Sequence, residues 1–462
     1  MTDLTEIRFN MPFSKAALDQ MRLAANTRIS SFIQSRLDLR GKNVLAFRAR
    51  GGCDCAFDID RHYDGFKLGV HIIDADEFVC KDTPLDEEAA ARFTSCRIGN
   101  TLHTIMPQKL IDDTLSFVEG EDRLAVSVLM TIDENGKLLD IDLQQSVIRA
   151  SVICDYAEID AFYTGTDRSE LIWILEKYAA FKNEIEMMYD LGARLHAARR
   201  RAGAAEYSAF ETVTTRDKDC NVVSVARKEK ESDTDRLITE FVLYAGCMTA
   251  RLFNSHSVPT FFTRSDPMSA EKLQYLSKLS GFTPSDDEKT LEDRQRRLAE
   301  HISLCSMQGV LAAEYFAAMP SIYYSSEYGR NCSLGITGYM RICHPTSNYP
   351  DLMAQRIIKS WIKSDKTVSN IDINRHNRVI SALLPTFNSK LRLIERAQQS
   401  LIDADLALLL KRDEIDAYYI GDGRLLLPCG AYGTLETDRE MPLLSKIKVK
   451  AVDEHKMIFC FT

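Results

Sequence analysis

The segment from Val44 to Asp74 constrains the fold more than any other part of this sequence. It reads VLAFRARGGCDCAFDIDRHYDGFKLGVHIID, and polar and apolar residues alternate along both FDID and YDGFKLGVHI. Such alternation is typical of β-strands, and Asp64-Gly65 between two alternating runs is a turn signal. The sequence therefore predicts a β-hairpin in this segment, with the carboxylates of Asp58 and Asp60 facing solvent.

Composition limits the class of protein. With 462 residues, of which 45% are hydrophobic, the chain can bury large cores in two to four domains. The formal net charge of −9 disfavours nucleic-acid binding over the whole surface, although a local basic channel is compatible with it. The twelve cysteines show no Cys-x-x-Cys pairs, so reduced thiols are expected and a structural zinc site is not.

The N-terminus gives no targeting signal. MTDLTEIRFN lacks a basic start followed by an apolar run, and no stretch of the chain approaches the roughly 18 apolar residues of a membrane span. We therefore expect a cytoplasmic protein that has no contact with membranes.

Helices and further strands follow the hairpin. The turn Glu134-Asn135-Gly136 separates two alternating runs, and an apolar stripe with helical spacing runs from Arg168 to Arg201. Ser232 with Asp235 forms a capping-box pattern at the start of another helix. Residues 370–412 predict two helices, and SKIKVKAVD and KMIFCF predict the last two strands of a small barrel. The pattern indicates an α+β protein.

Several ordered motifs resemble the RNB domain of the ribonuclease II family. GVHIID from Gly69 resembles the family's Gly-Val-His-Ile-Ala-Asp, and LDEEAAAR from Leu85 resembles Leu-Asp-x-Glu-Ala-x-x-Arg. YMRICHPTSNYPDL from Tyr339 resembles Tyr-x-His-Phe-Thr-Ser-Pro-Ile-Arg-Arg-Tyr-x-Asp-Leu. The resemblance implies an α+β fold in which helices surround a mixed sheet, with a small OB-like β-barrel at the C-terminus.

The same resemblance suggests a division into domains. We expect an N-terminal helical extension over 1–39, an RNB-like domain with a C-terminal helical pair over 40–412, and a shortened OB-type barrel over 413–462. The stretch before Arg36 is too short for the cold-shock barrels that members of the family usually carry, so we expect those barrels to be absent.

The family's acidic loop is nearly gone. Members hydrolyse RNA with carboxylates that hold two metal ions, and the last three form Asp-x-Asp-Asp-Ala. Counting back from Ala56, Asp54 and Cys55 occupy the paired positions and Gly52 the preceding one, so that only Asp54 is retained. Arg48 stands where the first aspartate is expected, and its guanidinium would repel cations.

Residues from the other half of the family's site are lost as well. The two arginines that bind phosphate in the family are replaced by Ser347 and Asn348, and a hydroxyl or an amide cannot supply their planar donor fork. A tyrosine that lines the family's RNA channel corresponds to Arg97. The resemblance thus implies a pseudo-exoribonuclease without catalytic residues, metal or other cofactor.

The resemblance leaves single-stranded RNA and a protein as candidate partners, and DNA is not expected. The residues that would contact RNA are Arg48, Arg97, Tyr339, Arg341 and Tyr349. A protein-interaction scaffold without RNA binding is an alternative, which the acidic net charge favours.

Another alternative is an active metal-dependent 3′-5′ exoribonuclease with rearranged ligands. In it, Asp54 and an unplaced acid such as Asp74 or Asp76 would hold Mg²⁺. Cys53, Cys55 and Cys80 with His71 could also offer metal ligands, but no spacing fixes their geometry, and small residues filling a vacated pocket explain them better.

Overall fold

The structure of the protein is a computed structural model. It describes residues 8, 11–49, 52–98, 101–165, 172–202, 204, 212–218, 221–227, 232–285, 289–367, 370–410, 414–437, 441–454 and 456–461.

A mixed sheet forms the centre of the fold. The first strands along the chain are β1 (Leu37–Asp38), β2 (Leu45–Ala49), β3 (Gly52–His62), β4 (Gly65–Ile73), β5 (Cys96–Ile98), β6 (Thr101–His103), β7 (Asp122–Ile132), β8 (Leu138–Arg149) and β9 (Val152–Cys154). Seven of them form one sheet in the order β1-β8-β7-β4-β3-β2-β9. β1 is parallel to β8 and β2 is parallel to β9, while the other neighbours are antiparallel. The predicted mixed sheet is confirmed, and β1 joins it from within the segment 1–39.

The predicted hairpin is β3–β4, but one carboxylate was placed wrongly. Asp60 is exposed, as predicted, whereas Asp58 is buried, with Oδ1 2.8 Å from Nε2 of His71. β3 is buried on both faces as far as Ile59, so alternation along it does not report exposure. Gly69 on β4 makes the room, because a Cβ there would lie 2.2 Å from Oδ1 of Asp58.

Helices surround the sheet. They are α1 (Lys15–Ala25), α2 (Ser30–Ile33), α3 (Pro84–Arg92), α4 (Gln108–Asp113), α5 (Tyr156–Thr164), α6 (Ile172–Tyr178), α7 (Lys182–Arg201), α8 (Asp233–Ser255), α9 (Ala270–Ser280), α10 (Leu291–Ser303), α11 (Gln308–Ala318), α12 (Tyr349–Lys363) and α13 (Asn370–Leu409). Ser232 caps α8 in the predicted capping box with Asp235. Among the described residues, no helix has the length and apolar character that a membrane crossing requires.

The predicted helical pair at residues 370–412 is wrong, because α13 is one helix of 40 residues with Pro385 inside it. Proline removes one backbone hydrogen bond and usually ends or kinks a helix. Here the helix continues because its buried face packs on both sides of the proline, through Ile380 and Phe387 and further through Ile394. The Phe387 ring lies 5.3 Å from that of Phe93, edge to face.

The C-terminal strands close a small barrel. The remaining strands are β10 (Thr212–Arg216), β11 (Val222–Arg227), β12 (Phe262–Arg264), β13 (Tyr323–Ser325), β14 (Arg330–Asn331), β15 (Ile336–Thr337), β16 (Ile415–Gly421), β17 (Arg424–Leu426), β18 (Tyr432–Leu435), β19 (Lys446–Asp453) and β20 (Ile458–Phe461). The last five form a closed barrel in the order β16-β17-β18-β20-β19, around Ala417, Leu425, Val449 and Phe459. The predicted barrel is confirmed, and its OB-like character stays a prediction.

Candidate functional site

A β-bulge positions Asp54. Phe47 pairs with Cys55 and Ala49 pairs with Gly52, so that Cys53 and Asp54 together lie opposite the single residue Arg48. Bulges of this kind turn a side chain out of the regular alternation and are frequent beside active sites. The Asp54 side chain is buried, whereas Arg48 at the end of β2 is exposed.

The segment 339–348 brings the second part of the site to Asp54. Gly246 in α8 allows this segment to approach closely, because a Cβ at that position would lie 2.4 Å from the carbonyl oxygen of Met340 and 2.5 Å from the Tyr339 ring. The backbone N–H of His344 donates to Oδ2 of Asp351 in the first turn of α12 at 3.1 Å. The segment is therefore fixed between two helices.

Both oxygens of the Asp54 carboxylate are occupied by side chains from this segment. Nδ1 of His344 lies 3.1 Å from Oδ1, and the Thr346 hydroxyl donates to Oδ2 at 2.5 Å. Burial lowers the pKa of His344, but the Asp54 carboxylate outweighs this effect and raises the pKa to about 9. The imidazole is thus protonated at neutral pH. The one retained acid, Asp54, is therefore paired with a cationic side chain of the protein.

The neighbouring family positions cannot supply further ligands. A Cβ at Gly52 would lie 3.0 Å from Cγ2 of Ile111 and 3.3 Å from Oγ of Ser116, so little room is left for an acid there. Cys55 is buried, and a hydrogen bond to the Cys343 thiol, together with burial, raises the pKa of its own thiol well above the usual value. A neutral, buried thiol is a poor ligand for a hard cation.

Ser347 and Asn348 are used inside the protein. The Thr94 hydroxyl donates to the Asn348 side-chain oxygen at 2.6 Å, and the backbone N–H of Ser95 donates to the Ser347 carbonyl at 2.7 Å. These contacts join the start of α12 to the segment that follows α3. The two positions that carry phosphate-binding arginines in the family therefore hold the scaffold together.

The residues around Asp54 do not fit the two-metal centre of the ribonuclease II family. Such a centre needs several carboxylate oxygens free to converge on hard cations. Asp54 is already neutralised, and no group of three His, Cys, Asp or Glu side chains in the described part of the chain could hold a metal ion. Of the soft ligands considered, His71 is fully buried between Asp58 and Ser127, while Cys80 is exposed.

The acids proposed as substitute ligands lie in a buried ionic cluster. We call this set, comprising Arg36, Asp74, Asp76, Glu77, Asp86, Arg356 and Lys359, the charge cluster. Asp74 is fully buried, with Arg36 2.7 Å from one oxygen and Lys359 2.9 Å from the other. Asp76 lies 2.8 Å from Arg356 and 3.0 Å from Lys359. These cations occupy the oxygens that an Mg²⁺ ion would need.

A cavity of about 510 Å³ opens beside His344, whose imidazole contacts Asp54. We call it the site cavity; its walls include Tyr156, Tyr339, Arg341, His344 and Glu395. Arg341 remains 37% exposed although its Nε lies 3.4 Å from the buried carboxylate of Asp351. Burial raises the pKa of Glu395. The cavity thus combines aromatic rings with two cationic groups and three carboxyl side chains, those of Asp235, Asp351 and Glu395.

The predicted RNA contacts do not all lie together. Tyr339 and Arg341 line the site cavity, and Arg48 and Arg97 are exposed. Tyr349 is a correction: it is buried at the start of α12, where its ring packs edge to face on Phe387. A stacking platform needs an accessible ring, so Tyr349 belongs to the scaffold, and the same correction applies to Tyr339, whose ring is equally buried although it lines the cavity.

His344, Thr346 and Glu395 were missed in the sequence. The first two stand where the family motif has Ser and Ile, and this departure was the available signal. Nothing in the sequence placed Glu395 of the long helix α13 in the cavity wall.

Comparison with known proteins agrees with this architecture. The family model of the RNB domain matches residues 36–364. The chain belongs to the RNB family. Ribonuclease R of Thermotoga maritima is 25% identical over 394 residues, which cover 84% of this chain and 54% of that protein. Ribonuclease R 1 of Lactococcus lactis is 26% identical over 372 residues, covering 78% and 44%. The chain spans about half the length of these RNB relatives.

Solved structures of RNB proteins share the fold. The apo form of Mycoplasma genitalium RNase R has a TM-score of 0.84 at 14% identity, covering 100% of this chain and 78% of that one. Its complex with ribose methylated single-stranded RNA gives 0.83 at 14% identity, covering 100% and 77%. Yeast Ssd1, described as a pseudonuclease, gives 0.67 at 15% identity, covering 94% and 54%.

Proposed function

We propose that this RNB-fold protein does not hydrolyse RNA and that it binds single-stranded RNA in the site cavity. The observation that carries the proposal is the occupation of both Asp54 oxygens by His344 and Thr346. Hydrolysis in this family depends on metal ions that activate the attacking water and stabilise the leaving oxygen. The protonated imidazole of His344 neutralises the single retained acid, Asp54, as a metal ion would.

Two groups in the wall of the site cavity support RNA as the ligand, although three carboxyl side chains, Asp235, Asp351 and Glu395, line the same cavity. Arg341 offers a guanidinium that suits a phosphate, and Tyr156 is a half-buried ring in the cavity wall. Among the structural relatives, RNase R of Mycoplasma genitalium binds single-stranded RNA and Ssd1 is a pseudonuclease. A fold that keeps its RNA cavity while losing hydrolysis is therefore consistent with both kinds of relative.

The alternative of an active exoribonuclease with rearranged ligands has less support. It requires Asp74 or Asp76 to leave the charge cluster, where each contacts two cations. Breaking a buried ion pair by removing one partner costs about 3–5 kcal/mol. The scaffold alternative rests on the net charge of −9, and RNA binding decides between it and our proposal.

The test is binding and degradation of labelled single-stranded RNA in Mg²⁺ or Mn²⁺. We expect the RNA to keep its length and to bind at low salt. Arg341→Gln should weaken binding, and Arg341→Lys should weaken it less because the charge opposite Asp351 is kept. Arg22→Gln on the exposed side of α1 is the matched control.

Two results would contradict the proposal. Release of mononucleotides that stops in Asp54→Asn would establish an active nuclease. Absence of RNA binding at low salt would favour the protein-interaction scaffold.

A further inference from the structure

A second cavity, of about 400 Å³, lies between the end of α7 and α10. Among the residues that the structure describes, its charged lining consists of Arg200, Arg201 and Arg296 with Glu300, and the other lining residues are alanines. We call it the arginine cavity. Within the described part of the chain, its lining carries three guanidiniums and one carboxylate, on a protein whose net charge is −9.

The ion pair that Glu300 makes in the arginine cavity is a weak one. Nη1 of Arg296 lies 3.4 Å from Oε1 of Glu300 one turn later, and the two side chains are 39% and 52% exposed. Exposed pairs of this kind are weak. The C-terminal dipole of α7 disfavours anions on its own, and the basic side chains of Arg200 and Arg201 in its last turn oppose that effect.

One loop connects the walls of the arginine cavity and the site cavity. Arg199 donates to the carbonyl oxygen of Leu334 at 3.0 Å, and Leu334 itself lines the site cavity. The next residue, Gly335, packs against Ala204 in the wall of the arginine cavity, where a Cβ would lie 2.3 Å from the Cα of Ala204. One loop therefore lines the site cavity and packs against a wall residue of the arginine cavity.

We propose that the arginine cavity binds phosphate groups of a single-stranded RNA that also occupies the site cavity. This inference rests on the proposed function, because it assigns a second contact to the same RNA. The cavity would hold the backbone without reading sequence, since guanidiniums pair with phosphate oxygens and the alanines offer no donor or acceptor to a base.

An RNA backbone fits the cavity better than an acidic peptide does. Planar guanidiniums bind phosphate through two parallel hydrogen bonds. The alanines that form the remaining wall carry no side-chain polar groups with which to fix a peptide. The loop at Leu334 and Gly335 also places the two cavities next to each other.

The experiment compares Arg201→Gln/Arg296→Gln with Arg22→Gln/Arg28→Gln, which removes the same charge from exposed positions near α1. Dissociation constants are measured for single-stranded RNAs of about 5 and about 20 nucleotides, since one site can span several nucleotides. For the longer RNA, the cavity variant should bind about tenfold more weakly at low salt, and the salt slope should fall by about 1.4 for two lost phosphate contacts. The control and the shorter RNA should be unaffected.

The outcomes separate this inference from the proposed function. If Arg341→Gln lowers the affinity for both RNAs while the cavity variant behaves like the control, the site cavity binds RNA and the arginine cavity does not. If the cavity variant lowers the affinity for the longer RNA and Arg341→Gln changes neither affinity, the arginine cavity binds RNA, but the proposed site and the RNA shared between the two cavities both fall. If neither RNA binds the unaltered protein, both fall.

Two competitors identify other sources of negative charge. Suppose that inorganic pyrophosphate binds the unaltered protein but not the cavity variant, and that the two proteins bind RNA equally well. The cavity would then be a site for a free phosphate ligand. Binding of polyglutamate that is lost in the cavity variant, again with unchanged RNA affinity, would assign it to an acidic protein. Either result would overturn the RNA contact.

Discussion

Buried carboxylates have different partners in the Asp54 site and in the charge cluster. At Asp54, one acid is matched by a histidine and a threonine hydroxyl. In the charge cluster, Asp74, Asp76 and Glu77 are matched by lysine and arginine, of which Lys359 contacts all three acids. One region is held by a cation that loses its proton within the accessible pH range, and the other by cations that do not.

This difference separates a site from a scaffold. Burial lowers the pKa of Lys359, but Asp74 and the other acids outweigh it and raise the pKa above its usual value. The cluster therefore keeps its charges throughout the neutral range. The Asp54 site depends on a histidine whose pKa is about 9 and whose side chain is 32% exposed towards the cavity. It can respond to pH and ligands, whereas the cluster cannot.

The largest effect is expected in the charge cluster. Lys359→Met removes the cation shared by Asp74, Asp76 and Glu77 and should lower the free energy of unfolding by about 3–5 kcal/mol. Urea denaturation measures the change. Lys363→Met, an exposed position on the same helix, should change it by less than about 0.5 kcal/mol. Equal, small effects would mean that the cluster does not stabilise the fold.

The sequence predicted most of the architecture. Hairpins, the capped helix α8 and the barrel follow from alternation, turn residues and a capping box, which are local signals. The failures are non-local. The two helices predicted over residues 370–412 are one helix, α13, which packing of Phe387 and its neighbours continues past Pro385. Asp58 is buried because β3 is covered on both faces as far as Ile59, and its carboxylate pairs with His71 across the sheet.

For the site, the sequence predicted which acids and arginines are replaced but not which groups compensate for them. Asp54 and His344 are 290 residues apart in the chain, so no local pattern pairs them. Tyr349 matched the family motif and was assigned to RNA, yet motif identity does not distinguish an exposed ring from a buried one. Burial and pairing across the fold had to be seen in the structure.

The second prediction concerns the filled position beside Asp54. Gly52→Asp should destabilise the protein by about 2–3 kcal/mol, because the new side chain meets Ile111 and Ser116 and carries a charge into a partly buried place. Gly41→Asp, where a Cβ meets nothing within 4 Å, is the control. The measurement is the urea midpoint with and without Mg²⁺. A Gly52→Asp protein that Mg²⁺ stabilises would show that a metal site can be rebuilt.

The third prediction follows from the protonation of His344. Its folded pKa of about 9 lies above the ordinary value of 6.5, so its contribution to stability is complete below about pH 6.5 and is lost as the pH rises through about 9. Because the side chain is about one-third exposed, we expect a contribution of about 1–2 kcal/mol.

His344→Asn should remove this pH dependence, since its amide can donate to Asp54 but does not titrate. The difference in unfolding free energy between about pH 6.5 and pH 9 is the measured quantity. His376→Asn, an exposed position in α13, is the matched variant and should behave like the unaltered protein. A stability that falls equally in His344→Asn would place the titrating group elsewhere.

The smallest effect is expected at the exposed end of β2. Arg48 lies opposite the bulge that holds Asp54 and is exposed, so a phosphate contact there would be a surface contact. Arg48→Gln should weaken single-stranded RNA binding by about threefold at low salt and reduce the salt slope by about 0.7, the value for one phosphate on a single strand. Arg28→Gln, also exposed, should leave both quantities unchanged. The fold should be unaffected in either variant, because neither side chain is buried. An unchanged salt slope in Arg48→Gln would confine RNA binding to the interior of the site cavity and exclude the bulge from the RNA path.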